Sequence, residues 1–99
     1  MPRSKSILQP NEKRCWYCGS HYWLQVHHCY YGTKNRTNSD KNGFWVWLCE
    51  AHHTGPCGVH NKGGDFLDKR LKIECQKKFE ETHSRKEFMK IIGRNYLED

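Results

Sequence analysis

The sequence predicts a small α+β protein, with two strands followed by helices, whose limited core is supplemented by bound zinc. Its 99 residues suffice for one domain, and a domain of this size buries only roughly 60 to 65% of the surface that its unfolded chain exposes. The hydrophobic fraction is 35%, while six cysteines and seven histidines supply candidate metal ligands. Structural zinc contributes on the order of 10 to 16 kcal/mol in finger peptides, enough to offset a small core.

The charge of the chain indicates a polyanionic partner. Its formal net charge of +6 favours nucleic acid over an anionic membrane surface. The longest apolar run, from Phe44 to Cys49, is far shorter than the about 20 residues of a membrane-spanning helix. Residues 1–14 lack the apolar region of a signal peptide, so we expect a soluble, cytoplasmic protein.

Residues 1–14 are predicted to form a mobile basic arm. Their apolar anchors are Ile7 and Leu8, set among arginine, lysine, serine and two prolines. So few apolar side chains do not bury enough surface to order a segment. A solvated tail is the favoured interpretation, and contact of Arg3 and Lys5 with DNA is the alternative.

Cys15 and Cys18 form the first candidate metal-binding turn. A two-residue spacer lets both sulfur atoms face one ion, and Gly19 permits the tight return of the chain. A redox C-x-x-C motif is a competing interpretation, but such motifs begin a helix within a βαβ unit, which this sequence lacks. Three disulfides in a secreted protein are a further alternative, and histidines at fixed offsets from cysteine argue against it.

Two strands are predicted to pair as a hairpin around a long loop. Residues Tyr22 to His27 alternate as in a half-buried strand, and Phe44 to Leu48 is the expected partner. The intervening residues 29–43 are rich in glycine, asparagine and lysine, which is typical of a basic loop. Adjacent residues at a strand end point to opposite sides, so only one of His27 and His28 can bind a given ion.

The second strand leads into a segment crowded with metal ligands. Residues Trp47 to Asn61, WLCEAHHTGPCGVHN, hold two cysteines and three histidines and no aliphatic run. Cys49 and His52 form a C-x2-H turn that complements the C-x2-C turn, since a structural zinc ion takes four such ligands. The glycine and proline that follow His53 predict that the ligand-bearing helix is very short or interrupted.

Two helices are predicted in the C-terminal part of the chain. Asp65 is a candidate N-cap for a helix over residues 66–82. Apolar residues recur every four positions on this helix, at Leu67, Leu71, Cys75 and Phe79, and the cysteine in this stripe is expected to be a core residue. A capping box of Ser84 and Glu87 begins the second helix, which Gly93 ends after residue 92.

The chain resembles the HNH nucleases, the ββα-metal family, in the order of four features. These are a C-x2-C turn, a strand ending in two histidines, a basic segment and a strand ending in C-x2-H-H. The resemblance is closest to small phage and prophage members of the recombination-enhancement type, and it covers Cys15 to Asn61. It implies a nuclease core with a ββα-metal (His-Me finger) fold over residues 15–64. Residues 65–99 would be a helical extension packed on that core.

The resemblance also implies roles for the candidate site residues. A structural zinc site would be formed by Cys15, Cys18, Cys49 and His52. A catalytic divalent ion, Mg²⁺, Mn²⁺, Ni²⁺ or Zn²⁺, would be held by His27, His53 and His60, with Cys57 as the alternative third ligand. His28 would be the general base that activates water against a phosphodiester.

One position departs from the family pattern. The asparagine that gives the family its middle letter lies five residues before the first cysteine of the last turn, where this chain has Phe44. In the family this asparagine bridges the loop backbone and holds the strand that carries the base. Asn38, Asn42 or Asn61 could take that role, or this branch could do without it.

These features predict a metal-dependent DNA endonuclease or nickase of low sequence specificity, derived from a phage or prophage and acting in a bacterial or phage-infected cytoplasm. DNA phosphates would be contacted by basic residues in loops, at Lys34, Arg36, Lys41 and Lys62. The alternative is a non-catalytic zinc module that binds nucleic acid or a protein, with Phe44 and Cys57 as marks of a degenerate site. Phage recombination or packaging proteins are the expected further partners.

Overall fold

The computed structural model describes residues 4–55 and 58–97, which form a small α+β protein. Two strands pair in one antiparallel sheet. In chain order the elements are β1 Leu24–His28, α1 Thr33–Asn42, β2 Trp45–Cys49, α2 Glu50–His53, α3 Asp65–Phe79 and α4 Arg85–Ile92. A 3-10 turn at Lys62–Gly64 precedes α3. Within the described residues, no helix is both long enough and apolar enough to span a membrane.

The predicted antiparallel pair of strands is confirmed, although each strand begins one or two residues later than expected. Leu24 lies opposite Cys49, and His28 lies opposite Trp45. His27 and its partner across the sheet, Val46, are 2% and 0% exposed. The face of the sheet that carries His27 is therefore interior. Because adjacent residues of a strand alternate between faces, His28 belongs to the other face.

The segment between the strands contains a helix, so the basic loop predicted over residues 29–43 is wrong. Ten of these residues form α1, although asparagine, serine and aspartate favour turns. The Asn38 side chain donates to the carbonyl oxygen of Ile91 in α4, and the Ser39 hydroxyl donates to that of Tyr30, both at 2.8 Å. Such long-range bonds override weak local propensity, and local composition could not predict them.

Residues 4–14, expected to belong to a mobile arm, lie against β2. Ser6 and Gln9 are both buried. The Ser6 hydroxyl donates to the carbonyl oxygen of Trp45 at 2.5 Å, and Gln9 Oε1 accepts from the backbone N–H of Trp47 at 2.8 Å. Polar side chains thus cover the edge of β2, so the segment is held by hydrogen bonds that a count of apolar residues does not reveal.

The C-terminal helices follow the sequence pattern in most respects. The predicted apolar stripe is buried along α3, its cysteine included. In α4, Ser84 and Glu87 form the predicted capping box, and Gly93 ends the helix in the left-handed conformation. The predicted N-cap at Asp65 is wrong, because Asp65 is the first residue of α3 and Gly64 precedes it without a side-chain cap.

Phe44 lies at the centre of the aromatic core. It is fully buried, and its ring centroid is 5.4 Å from those of Tyr30 and Phe79 and 5.9 Å from that of Phe88. Aromatic pairs at such separations contribute beyond the area that they bury. The position where the resemblance to the HNH nucleases would place an asparagine therefore serves packing in this chain.

We expect Phe44→Ala to lower the free energy of unfolding by about 3 to 5 kcal/mol, because the change leaves a cavity among three aromatic rings. Phe66→Ala is the matched control: Phe66 is 56% exposed, and its removal should cost less than about 1 kcal/mol. Urea denaturation followed by tryptophan fluorescence measures both values. Equal losses in the two variants would contradict the central packing role of Phe44.

Candidate metal centres

Two cysteines of one turn and a cysteine and histidine of another lie together at one end of the sheet. Cys15, Cys18, Cys49 and His52 place their ligand atoms within 4.8 Å of one another. Cys18 Sγ is 3.7 Å from Cys49 Sγ, which is 3.2 Å from His52 Nδ1. Zinc bonds of about 2.1 to 2.3 Å give a tetrahedron with edges of about 3.4 to 3.8 Å. The cluster could therefore hold a metal ion such as zinc.

Local backbone structure delivers these four ligands. The first turn, residues 15–19, closes with a hydrogen bond of 2.9 Å from its last N–H to its first carbonyl, and its glycine has a φ of 79°, which strains other residues. The N–H of Trp16 donates to the carbonyl oxygen of Trp47 at 2.8 Å, which ties this turn to β2. Cys49 ends β2 and α2 follows at once, so a single helical turn brings His52 back beside Cys49.

The described cysteines, five of the six in the chain, are free thiols, so within residues 4–55 and 58–97 no disulfide framework is present. Burial raises the pKa of the Cys15 thiol, but hydrogen bonds from the backbone of Cys18, Cys49 and Tyr17 outweigh burial, and the pKa is lowered. Burial raises the pKa of the Cys49 thiol. The hydrogen bonds of the turn thus favour the thiolate form of Cys15. The thiolate form of Cys49 needs a nearby positive charge, which a metal ion would supply.

A second cluster consists of three histidines from three parts of the chain. His27 lies on β1, His53 ends α2 and His60 lies in the turn that follows. Their ligand nitrogens are within 4.8 Å of one another. A cavity of about 680 Å³ opens onto these rings and is also lined by His28, Tyr31 and Arg36. Three imidazoles beside an open cavity match the ligand number of catalytic rather than structural metal sites.

In this cluster, a ring nitrogen of His27 lacks a hydrogen-bond partner. Its Nε2 is the one buried side-chain nitrogen or oxygen without a hydrogen-bond partner among the described residues. Burial, followed by the charges of His53 and His60, lowers the pKa of His27 to about 3, so the ring is neutral at physiological pH. A buried nitrogen left unpaired costs about 1 to 3 kcal/mol, and a neutral imidazole with an unused nitrogen is what a metal ion requires.

The other two rings are oriented toward each other. His53 Nδ1 lies 2.5 Å from Gln25 Oε1, and a carbonyl oxygen only accepts, so Nδ1 carries the proton and Nε2 carries the lone pair. His53 Nε2 is 3.0 Å from His60 Nε2. Burial lowers the pKa of His53, and the charge of His60 lowers it further. Gln25 therefore fixes the tautomer of His53, as the outer partners of metal-binding histidines do.

His28 is held by a carboxylate that the sequence did not reveal. Its Nε2 lies 2.8 Å from Asp40 Oδ1 in α1. Because the carboxylate accepts, Nε2 donates, and in the neutral ring the lone pair is on Nδ1. Asp40 falls in the segment predicted to be a loop, and its spacing from His28 gave no signal. Gln25 could have been found, since it lies two residues before His27 on the same face of β1.

The structure places the predicted DNA-contacting residues in different surroundings. Arg36 lines the cavity of the histidine cluster, and Lys34 is exposed on the same helix. Lys41 instead lines another cavity, beside residues 4–7 and the end of α3. These three lie in α1 and not in the predicted loop. The side chain of Lys62 and the predicted residues Arg3 and Cys57 lie outside the described part of the structure.

Of the three asparagines considered as substitutes for the family asparagine, Asn61 bridges loop backbone. Its side chain donates to the carbonyl oxygens of Thr54 and Gly55 at 2.9 and 2.8 Å. These bonds span the turn between His53 and His60. Asn38 instead links α1 to α4, and Asn42 bonds within α1.

Comparison of the chain with protein-family models, curated proteins and solved structures finds no match in any of the three. The candidate functional features of the chain are the two ligand clusters, the pair of His28 and Asp40, and the Arg36 side chain at the cavity.

We expect Cys18→Ala to weaken metal binding at the first cluster by about 100-fold or more, because changes to the outer partners of metal ligands already cost 10- to 100-fold. Competition with a chromophoric chelator measures the affinity. Cys75→Ala is the control: Cys75 is fully buried in the core away from both clusters, so this variant should lose stability and keep its metal affinity. Unchanged affinity in Cys18→Ala would exclude Cys18 as a ligand.

Proposed function

We propose that this protein is a metal-dependent nuclease that hydrolyses phosphodiester bonds in DNA. One ion, zinc, would be held by the cysteine-rich cluster, and a second divalent ion by His27, His53 and His60. The proposal is carried by one observation: the buried, unpartnered Nε2 of His27 lies beside two further imidazoles at a cavity that the carboxylate-held His28 also lines.

The residues around the cavity suit phosphodiester hydrolysis. A divalent ion at the histidine cluster would neutralise charge on the phosphate and stabilise the leaving oxygen. His28, protonated at Nε2 toward Asp40, presents Nδ1 as the base that takes a proton from the attacking water. Asp40 then stabilises the imidazolium that forms, and it fixes the ring in one tautomer before the reaction. Arg36 adds a positive charge to the wall of the same cavity.

The order of elements supports the resemblance to the HNH nucleases. β1 ends in the two adjacent histidines, β2 ends in the first cysteine of the last turn, and α2 carries His52 and His53. Apart from α1, which lies between the strands, these elements follow the strand, strand, helix order that a ββα-metal motif would require. The helix has only four residues, and Asn61 would supply the loop bridge for which Phe44 has no polar group.

The residue types of the histidine cluster narrow the choice of metal ion, and the charge of the surface narrows the class of substrate. Imidazoles bind Mn²⁺, Ni²⁺ or Zn²⁺ better than Mg²⁺, which prefers oxygen ligands. The net charge of +6 favours a polyanion. Exposed Lys34 and cavity-lining Arg36 suit phosphate contacts, which carry no sequence information. Low sequence specificity and a steep loss of affinity with salt follow.

We expect the wild-type protein to bind two divalent ions per chain. The double variant that combines His27→Ala and His53→Ala should bind one. The change removes two of the three imidazoles of one cluster and leaves the cysteine-rich cluster intact. Metal content after dialysis against Zn²⁺ or Mn²⁺ measures this. His21→Ala with His83→Ala is the matched control, because both side chains are exposed and neither belongs to a cluster.

The same measurement separates the nuclease from its alternative. One tightly bound ion in the wild type, unchanged in the His27 and His53 double variant, would favour a non-catalytic zinc module that binds nucleic acid or protein.

We expect His28→Ala to slow cleavage of supercoiled plasmid by roughly 10²- to 10⁴-fold, which is the usual contribution of a general base. Asp40→Asn should cause a smaller loss than His28→Ala, because the ring that accepts the proton remains although its tautomer and charge are no longer supported. Both variants should keep the two-ion content of the wild type, and His21→Ala should cleave normally. Cleavage that persists in His28→Ala at the wild-type rate, with Mn²⁺ or Mg²⁺, contradicts the proposed base.

A further inference from the structure

A second cavity adjoins the histidine cluster, and one residue belongs to both. This cavity has a volume of about 400 Å³, within the range of small-ligand sites. Its lining includes Tyr31, Asp68, Lys69, Lys72, Arg94 and Tyr96. Tyr31 also lines the first cavity. Its ring centroid is 6.2 Å from that of His27 and 6.4 Å from that of His60, so Tyr31 forms the wall between the two cavities.

The second cavity is positively charged. Lys69 and Arg94 are exposed at its surface. Lys72 is buried and paired, with its Nζ 2.7 Å from each carboxylate oxygen of Asp68. Burial lowers the pKa of Lys72, but its bonds to Asp68 and Tyr31 raise it by more, so the ammonium stays charged. Three cations against the one carboxylate of Asp68 leave a net charge of about +2 in the lining.

The cavity also offers aromatic faces. Tyr31 is 49% exposed, and the Lys72 Nζ lies 4.1 Å from the centroid of its ring. The Tyr31 hydroxyl donates to Asp68 Oδ2 at 2.9 Å, which fixes the ring. Tyr96 is half-buried, and the guanidinium carbon of Arg94 lies 5.1 Å from its ring centroid. Fixed aromatic rings beside cations are the combination on which single-stranded nucleic acids bind, with bases stacked and phosphates paired.

We infer that this second cavity binds an unpaired nucleotide next to the scissile phosphate, with its base against Tyr31 and Tyr96 and its phosphate toward Lys69 and Arg94. The inference rests on the proposed function, because it places the scissile bond at the histidine cluster. A base held in a duplex would have to leave its stack to enter, at a cost of a few kcal/mol. The substrate class is therefore DNA with unpaired nucleotides at the cleavage point, as in single strands, flaps or frayed ends.

The first experiment tests the phosphate contacts. Binding of fluorescein-labelled hexathymidylate is measured by anisotropy in the His28→Ala background, which keeps every ligand of both clusters and leaves the oligonucleotide intact. We expect Lys69→Gln with Arg94→Gln to weaken binding about tenfold or more. The salt dependence should fall by about 0.7 in log-log slope for each phosphate contact removed. Lys77→Gln with Lys86→Gln is the control, because it removes the same charge from exposed positions outside both cavities.

The second experiment tests the base. Tyr31→Leu should weaken binding of hexathymidylate about tenfold and leave binding of an abasic hexamer with the same phosphates unchanged. Tyr22→Leu, at a tyrosine that is 75% exposed and lines neither cavity, should bind both oligomers like the parent. Metal content of Tyr31→Leu is measured in parallel, and it should equal that of the parent.

Three outcomes overturn the inference: a charge variant that binds like its control, equal losses of both oligomers in Tyr31→Leu, or a blunt duplex that binds as tightly as the single strand. The last outcome leaves the proposed nuclease intact, since plasmid cleavage is scored separately. Conversely, an absence of cleavage with the expected binding pattern would overturn the nuclease and leave a single-strand binding site.

Discussion

The register between β1 and β2 is the constraint on which both ligand clusters depend. Leu24 opposite Cys49 brings the start of β1 to the cysteine-rich cluster, and His27 opposite Val46 turns the histidine toward the interior. Because side chains alternate along a strand, a slip of one residue would move His27 to the other face and bring His28 into its place. His28 would then take the place of His27 in the three-imidazole cluster. The pairing geometry thus decides which of the two adjacent histidines joins that cluster.

The two ligand clusters differ in chemistry and in position. The cysteine-rich cluster joins residues 15–19 to the end of β2 and to α2, close to the apolar core. The histidine cluster lies at an open cavity and draws its members from three segments. In the cysteine-rich cluster, the buried thiols of Cys15 and Cys49 lie beside backbone N–H groups, which suits a structural site. In the histidine cluster, half-buried His53 and exposed His60 lie beside a cavity, which suits an ion that must meet a substrate. Both clusters use α2, so the four residues Glu50–His53 serve two sites.

Neighbouring elements support the histidine cluster and its cavity by packing and hydrogen bonding. α1 carries Asp40 to His28 and Arg36 to the cavity, and it is itself held by side-chain bonds from Asn38 and Ser39. Asn61 ties the turn between His53 and His60. Phe44, where the resemblance to the HNH nucleases would place an asparagine, joins the aromatic core instead. The geometry of the histidine cluster is therefore supported from α1 and from Asn61.

The sequence by itself determined the elements whose cause is local. The four-residue stripe of α3 and the capping box of Ser84 and Glu87 each follow from the periodicity or chemistry of neighbouring residues, and the structure has them. The alternation of residues 22–27 predicted a strand, but its most buried side chain is His27, while Leu24 and Val26 are only partly buried. The cysteine-rich group was also visible, since two-residue spacings of cysteine and histidine have few other uses. The histidine group has no such spacing and followed only from the resemblance to the HNH nucleases. Tertiary structure alone decided α1, the placement of residues 4–14 and the partner Asp40. Each of these depends on hydrogen bonds between residues that are distant in the chain or that carry no distinctive spacing, so their energies arise only in the tertiary structure.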